Sequence, residues 1–254
     1  MLDKAMSLLD CFRPAGGRLR LADLSARTGL ARSTVHRLAA DLVRLGLLER
    51  SGDEYQLGGL LFEFGTLVPR RQDLRETALP FLQDLYEATR ETVHLGIRED
   101  RSVIYVERIH GHERLPLPSR VGGALPLTCT GVGKVLLAFS PQDFTEEILA
   151  GPLPRLTPHS VTDPARLRPI LEQVRVAGLA YEEQEAVTGI SCVASPVFAP
   201  DGTAVAAISV AVPVTRWHPA QLATAVRTAA LGLTRALRMP AAMSGSLTRP
   251  DASR

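Results

Sequence analysis

Residues 21–46, LADLSARTGLARSTVHRLAADLVRLG, constrain this chain more than any other stretch. The spacing predicts a short helix over 22–28, a break at Gly29 and a second helix from Arg32. In the second helix Val35, Leu38, Ala39, Leu42 and Leu45 recur at helical spacing and form one apolar stripe. Arg32, Ser33, His36, Arg37, Asp41 and Arg44 take the other side. Gly29 suits a tight turn that needs a positive φ, and Val35 is placed to wedge against Leu24 and set the angle between the helices. This is the layout of a helix-turn-helix, whose second helix offers polar side chains near its N-terminus to a major groove. An ordinary amphipathic helix pair shares the pattern, so the next segment matters. Residues 47–50 and 55–58 are short alternating runs, and Ser51-Gly52-Asp53-Glu54 between them is rich in turn formers. A β-hairpin is expected there. A hairpin directly after a helix-turn-helix makes a winged helix, with Arg50 on the wing in reach of a phosphate or a minor groove.

The chain has 254 residues, enough for one large or two modest domains. Hydrophobic residues make up 45%, so a real core is available. No run approaches the length of a membrane span. The N-terminus, MLDKAMSLLDCF, carries acids and no small-residue cleavage site, unlike a secretory signal. Cys11, Cys129 and Cys192 are too scattered for a zinc pair and odd in number for a disulfide framework. A reducing cytoplasm fits this usage best, and no cofactor is expected. The net charge of +2 is uninformative, but between residues 13 and 50 eight arginines face three acids, a local excess of five. That is a modest electrostatic footprint for DNA, and also what a solvated basic surface looks like.

Further along, a helix is expected over 3–12 as the first helix of the winged domain, ended by Pro14-Ala15-Gly16-Gly17. A short helical run follows the wing over 60–67. Pro69-Arg70-Arg71 is read as its break, and a longer helix as covering 73–89, with Pro80 bending or restarting it. Leu74, Ala78, Phe81, Leu82 and Leu85 share one face of that helix. It is the candidate connector between domains, and its stripe, if exposed, would suit a dimer contact. From Thr92 the pattern turns to strands: 92–98 and 102–108 as a hairpin, then an irregular loop over 109–120. An extended run over 121–130 leads into a helix start at Gly131. Asp163-Pro164 marks a helix entry and Gly178 its end. Strands over 179–184, 190–198 and 203–212 and a final helix over 219–237 complete the pattern. The tail, 239–254, has no apolar period and reads as disordered. Two hairpins among these strands indicate a mixed or antiparallel sheet with helices on it, an α+β domain.

Three blocks resemble the IclR family of bacterial transcriptional regulators. They are the winged-helix block LADLSARTGLARSTVHRLAADLVRLGLLER, the block GGALPLTCTGVGKVLLAF over 122–139, and EEQEAVTGISCVASPVFAPDGTAVAAISVAVP over 182–213. The third is the specific one. The resemblance implies a winged helix-turn-helix DNA-binding domain (1–66), a linker helix (67–90) and a GAF-like effector-binding domain (91–238). It further implies homodimers, often paired into homotetramers, on a roughly palindromic operator. Family members repress or activate transcription in response to small metabolites, often organic acids, and repression is the commoner case. Two departures stand out. The N-terminus is shorter than usual in the family, which puts an arm contact in doubt. Ser25 stands where such regulators usually carry Ala, and is small enough to fit.

For DNA contact the candidates are Ser33, Thr34, His36 and Arg37 in the groove, with Arg32 and Arg50 on phosphates. The effector site is expected around Thr128, Thr130, Gly131 and Val132, where the amides of 131–133 open a helix and favour an anion. Glu182 falls, by resemblance, where the family turns a polar residue toward the ligand. Ile190 and Cys192 share a strand face, as do Ser209 and Ala211 on the partner strand. A plain capped helix and tight small-residue packing account for the same residues without a ligand. At 5% aromatic residues an aromatic cage is not expected. An enzyme is disfavoured: no spacing brings a histidine to Cys192, and the run ending in Lys134-Val135 is not a phosphate loop.

Overall fold

The computed structural model describes residues 1–15 and 17–238, so the expected disordered tail over 239–254 lies outside the described residues. The chain divides into two compact units, one ending at Asp73 and one beginning at Leu74.

The first unit runs α1 (Leu2–Asp10), α2 (Phe12–Ala15), β1 (Leu19–Arg20), α3 (Leu21–Thr28), α4 (Arg32–Arg44), β2 (Leu48–Ser51), β3 (Glu54–Leu57) and α5 (Gly59–Thr66). Its core joins Leu8, Phe12, Leu19, Leu24, Val35, Leu38, Leu42, Leu48 and Tyr55, with Leu24 and Val35 both fully buried. Gly29 caps α3 at φ +68°, and its N–H donates to the Ser25 carbonyl at 2.9 Å. The Ser25 hydroxyl in turn donates to the Leu30 carbonyl at 2.7 Å, so the serine that departs from the family pattern ties the turn. The hairpin's strands run one residue further into the turn than expected, because Ser51 and Glu54 still pair across it and Gly52 supplies its positive φ. β1 was not expected. It pairs with β3 to give the sheet order β1-β3-β2, and two residues are too few to show an alternation.

α6 (Pro69–Thr89) differs from the expected break and restart. The interruption falls at Leu67 and Val68, and Pro69 opens the helix. At the first position of a helix a missing N–H costs nothing. The helix then continues through Pro80 with one hydrogen bond fewer. Its apolar stripe is not left free: from Leu74 it packs inside the second unit, with Ala78, Leu82 and Leu85 buried.

The second unit continues with β4 (Thr92–Glu99), β5 (Ser102–Ile109), β6 (Ala124–Pro126), α7 (Gly131–Ala138), α8 (Gln142–Ala150), α9 (Pro164–Ala177), β7 (Ala180–Glu183), β8 (Ile190–Phe198), β9 (Ala204–Pro213) and α10 (Pro219–Arg238). Its sheet has the order β6-β5-β4-β9-β8-β7, and every neighbouring pair is antiparallel. One face of the sheet packs on α6 and α10, through Val193, Ile208, Val210 and Val226 among others. The other packs on α7, α8 and α9, through Val103, Leu136, Leu167 and Ala207. The molecule is therefore α+β, with a winged helix and a GAF-like sheet clad in helices. α8 was not expected, and the extended run over 121–130 is mostly not strand. Pro126 has no N–H for the ladder, and the chain tightens into a 3-10 turn at Leu127–Cys129 before α7.

Candidate functional site

Two polar regions of different kinds stand out, one in each unit. On α4 the apolar stripe fixes the orientation: Val35, Leu38, Ala39 and Leu42 are buried. Arg32, Ser33, His36 and Arg37 consequently face solvent, and Thr34 is half-buried. Among the described residues no hydrogen bond or ion pair engages the side chains of Arg32, Ser33, His36 or Arg37. Arg50 is exposed on β2, where its Nε donates to the Gly52 carbonyl at 2.9 Å and its guanidinium lies 5.8 Å from the Tyr55 ring centre. The six residues expected at DNA thus form two groups, five on α4 and one on the wing.

The second region is a cavity of about 30 Å³, roughly the volume of one water molecule. Its floor is the sheet face that carries Tyr105, His94, Ser209, Ala211, Cys192, Ile190 and Glu182. The register puts His94 opposite Ser209, Cys192 opposite Ala211, and Glu182 opposite Cys192, so neighbouring strands feed one spot. The wall is the start of α7, with Thr130, Gly131 and Val132. Leu117, Pro118 and Ser119 close it from the loop over 110–120, and Ala186 and Val187 from the turn after β7.

Of the expected ligand residues, Thr130, Gly131, Val132, Glu182, Ile190, Cys192, Ser209 and Ala211 come together here. Thr128 does not. It is buried in the 3-10 turn with its hydroxyl near the Cys129 sulfur, because the tightened chain turns that side chain away from the wall. The amides of 131–133 are also not all free. Thr130 caps α7, its Oγ1 accepting from the Gly133 N–H at 3.0 Å, and the Gly131 N–H faces the Cys192 sulfur. Val132 is left to offer its N–H. The glycines are dictated by close approach. A Cβ on Gly131 would lie 2.7 Å from Cys192 Sγ, and one on Gly133 2.2 Å from the Leu127 carbonyl oxygen.

The sequence reading missed His94, Tyr105, Ser119 and the apolar loop residues. Strand alternation could have found the first two. His94 lies on the face opposite Val93 and Leu95, and Tyr105 shares its face with Val103, which packs toward α7. Their rings are tilted at 5.1 Å, the one aromatic contact among the lining residues. Nothing in the pattern marks the loop.

Burial dominates the electrostatics. His94 is held neutral, pushed down to about 3 by burial and then by Arg108 and His110. Its Nε2 hydrogen-bonds with Ser119 Oγ at 2.8 Å. Burial raises the Tyr105 phenol and the Cys192 thiol, so both stay protonated. Glu182, 3% exposed, is pushed up to about 7, chiefly by burial and also by Glu185. Its Oε1 accepts from the N–H groups of Glu185 and Ala186, the latter at 3.1 Å, which limits the rise. Behind the wall Lys134, 1% exposed, is paired with Glu185. Polar ties to the loop include His94 to Ser119, Arg108 to the carbonyls of Ser119 and Leu115, the Gly111 N–H to Thr92 Oγ1, the His112 N–H to the Arg90 carbonyl, and Arg216 to Glu113 at 2.9 Å. No lining residue is a cation, among the described residues no group of acids, histidines and cysteines is arranged to hold a metal, and no described helix is long and apolar enough to cross a membrane.

Known proteins resemble both units. Residues 1–52 match the IclR helix-turn-helix domain, and residues 66–235 the bacterial transcriptional regulator IclR C-terminal domain. The chain is 33% identical to the HTH-type transcriptional regulator XynR of Escherichia coli, over 94% of this chain and 98% of that one. It is 35% identical to the HTH-type transcriptional regulator BhcR of Paracoccus denitrificans, over 87% and 80%. Among solved structures, an IclR homolog from Microbacterium hydrocarbonoxydans complexed with 4-hydroxybenzoate superposes with a TM-score of 0.85, at 30% identity, over 93% of this chain and 98% of that one. The Thermotoga maritima IclR gives 0.76 at 28% identity, over 94% and 98%. The relatives are regulators and not enzymes. This chain belongs to the IclR family of DNA-binding transcriptional regulators.

Proposed function

We propose that the protein is a repressor that leaves its operator when a small organic acid occupies the cavity in the second unit. The observation that carries this is the convergence of polar residues from β4, β7, β8, β9 and the start of α7 on one recess. The Ser209 and Tyr105 hydroxyls and the Val132 amide are the donors for a carboxylate, since the Thr130 hydroxyl is spent on the Pro126 carbonyl and the Gly133 N–H. One relative at 26% identity is named a transcriptional repressor, and one solved neighbour carries 4-hydroxybenzoate, an aromatic hydroxy acid. A cavity that holds benzene measures about 150 Å³, so an acid of that size has to lift the loop over 110–120. Lifting it breaks the ties of Ser119 and Glu113, which gives ligand entry a structural consequence.

On DNA, α4 enters the major groove with Ser33, Thr34, His36 and Arg37, while Arg32 and Arg50 hold phosphates. One such helix reads only a few base pairs, so a homodimer spans two half-sites of a roughly palindromic operator, about 34 Å apart. α6, which leads from the first unit into the second, sets that spacing.

The test is a mobility-shift series on DNA from upstream of the protein's own gene, with acetate, glycolate, benzoate and 4-hydroxybenzoate as releasing agents. Arg37→Ala should lose about 1–3 kcal/mol of discrimination at one operator position. Arg50→Ala should weaken all sequences alike and flatten the salt dependence. Equal scaling of every sequence by both changes removes Arg37 from base readout. Retention of the complex at saturating concentration of an acid shown to bind removes the release mechanism.

A further inference from the structure

We infer that an acid enters this cavity as its carboxylate together with one proton, and that Glu182 carries that proton while the acid is bound. The inference rests on the reading of the cavity as an acid site. It follows from the charges that face Glu182. Lys134 on α7 is the only nearby ammonium, and Glu185 already neutralises it. Cys192 on β8 and Tyr105 on β5 face the carboxylate as neutral groups, and His94 on β4 is neutral across the cavity. The walls therefore carry one uncompensated negative charge when Glu182 is ionised. A second carboxylate among such buried groups is disfavoured in its ionised form beside the first, and two carboxyl groups in that position share a proton.

The geometry shows where the proton sits. Glu182 Oε1 is occupied by two backbone N–H donors. Oε2 takes neither of these bonds, and with the Cys192 thiol hydrogen-bonded to the same carboxyl it is the oxygen assigned the hydrogen that is donated to the ligand carboxylate. Solvent supplies the proton, and no covalent bond changes. Near pH 7 the empty site is already poised between its two forms, since burial holds Glu182 up at about 7. Arg108 is a rival source of charge. It is half-buried behind His94 and bound to the Ser119 carbonyl, with its Nε buried and without a hydrogen-bond partner. If the loop lifts, that guanidinium can turn inward, and Arg114 on the loop is a second cation beside it.

The experiment is isothermal calorimetry on the full chain with benzoate and glycolate, each beside its uncharged amide, in buffers of differing ionisation enthalpy. The acids should bind with uptake of about one proton at about pH 8 and almost none at about pH 5.5. Their affinity should fall roughly tenfold for each pH unit above about 7.5. The amides should bind with no uptake and a flat profile, a control needing no variant. In Glu182→Gln the acid profile should be flat as well. Acid binding without proton uptake at about pH 8, or a pH slope that survives in Glu182→Gln, overturns the inference. If affinity then disappears in Arg108→Gln, the compensating charge belongs to Arg108. If benzoate and glycolate bind at no pH, the acid-site reading fails and this inference with it. Binding without proton uptake defeats the inference alone.

Discussion

The exposed face of α4 and the cavity beneath the loop over 110–120 both gather polar side chains, but they treat charge in opposite ways. On α4 Arg32, Arg37 and His36 project into solvent with no partner among the described residues, on a helix anchored from behind by Val35, Leu38 and Leu42. Charge there is cheap to hold and available to DNA phosphates. In the cavity nearly every polar group is buried, and burial has pushed His94, Tyr105 and Cys192 into their neutral forms. The charge that survives inside is either paired, as Lys134 is with Glu185, or poised to be lost, as on Glu182. Substitutions on α4 should thus affect binding and leave folding alone, while those around the cavity should affect both.

The contrast breaks most readily at Lys134. Lys134→Met leaves the Glu185 carboxylate buried without its cation, and urea unfolding should show a loss of about 3–5 kcal/mol. Replacing both partners, Lys134→Met with Glu185→Leu, should recover most of it. A small effect of the single change would mean that the pair is solvated and that the two sites treat charge alike.

Glu182 gives the next largest effect, and its sign depends on pH. Its ordinary value is 4.5 and the folded value about 7, so the native state binds a proton more tightly than the unfolded chain. Stability from this group is therefore intact below the ordinary value and lost as pH rises toward the folded one. Above that the buried carboxylate costs on the order of 3 kcal/mol. Glu182→Gln, which still accepts from both backbone N–H groups, should be more stable than the parent by about 2–3 kcal/mol near pH 8 and equal to it near pH 4. Thermal unfolding across that range measures the difference.

Ser25→Ala is a milder test on the other side of the comparison. It removes the bond to the Leu30 carbonyl across the turn between α3 and α4. A loss of about 1 kcal/mol from the first unit is expected in chemical denaturation. Arg37→Ala should have the least effect on stability, within about 0.5 kcal/mol, whatever it does to operator recognition. A larger loss would show that the α4 face has a structural task.

The two sites were legible in the sequence to different degrees for the same reason. On α4 a single period tells inside from outside, so Val35 and Leu38 locate Arg37 without any tertiary knowledge. The α+β class followed from two hairpins and an interleaved helix pattern, and the family followed from three blocks of residues. The close glycines, the Thr130 cap and the small strand residues marked most of the cavity because local geometry demands those residue types. The rest depended on distant contacts. Thr128 looked equivalent to Thr130 until the 3-10 turn rotated it away. Pro69 read as a break, although a proline is as suited to opening a helix as to ending one. Ser119 and Leu117 lie in a loop with no period, and only the fold brings them over the sheet.

By itself, then, the sequence determined the winged helix, the orientation of its second helix and the strand faces that small residues line. Those are local matters, set by periodicity, turn chemistry and steric limits within a few residues. Tertiary structure alone decided that Glu182 would be buried opposite Cys192, that Lys134 would be spent on Glu185, and that a loop would reduce the cavity to about 30 Å³. Burial and pairing depend on groups many residues apart in the chain, and it is burial, not residue type, that determines which of these groups keep a charge.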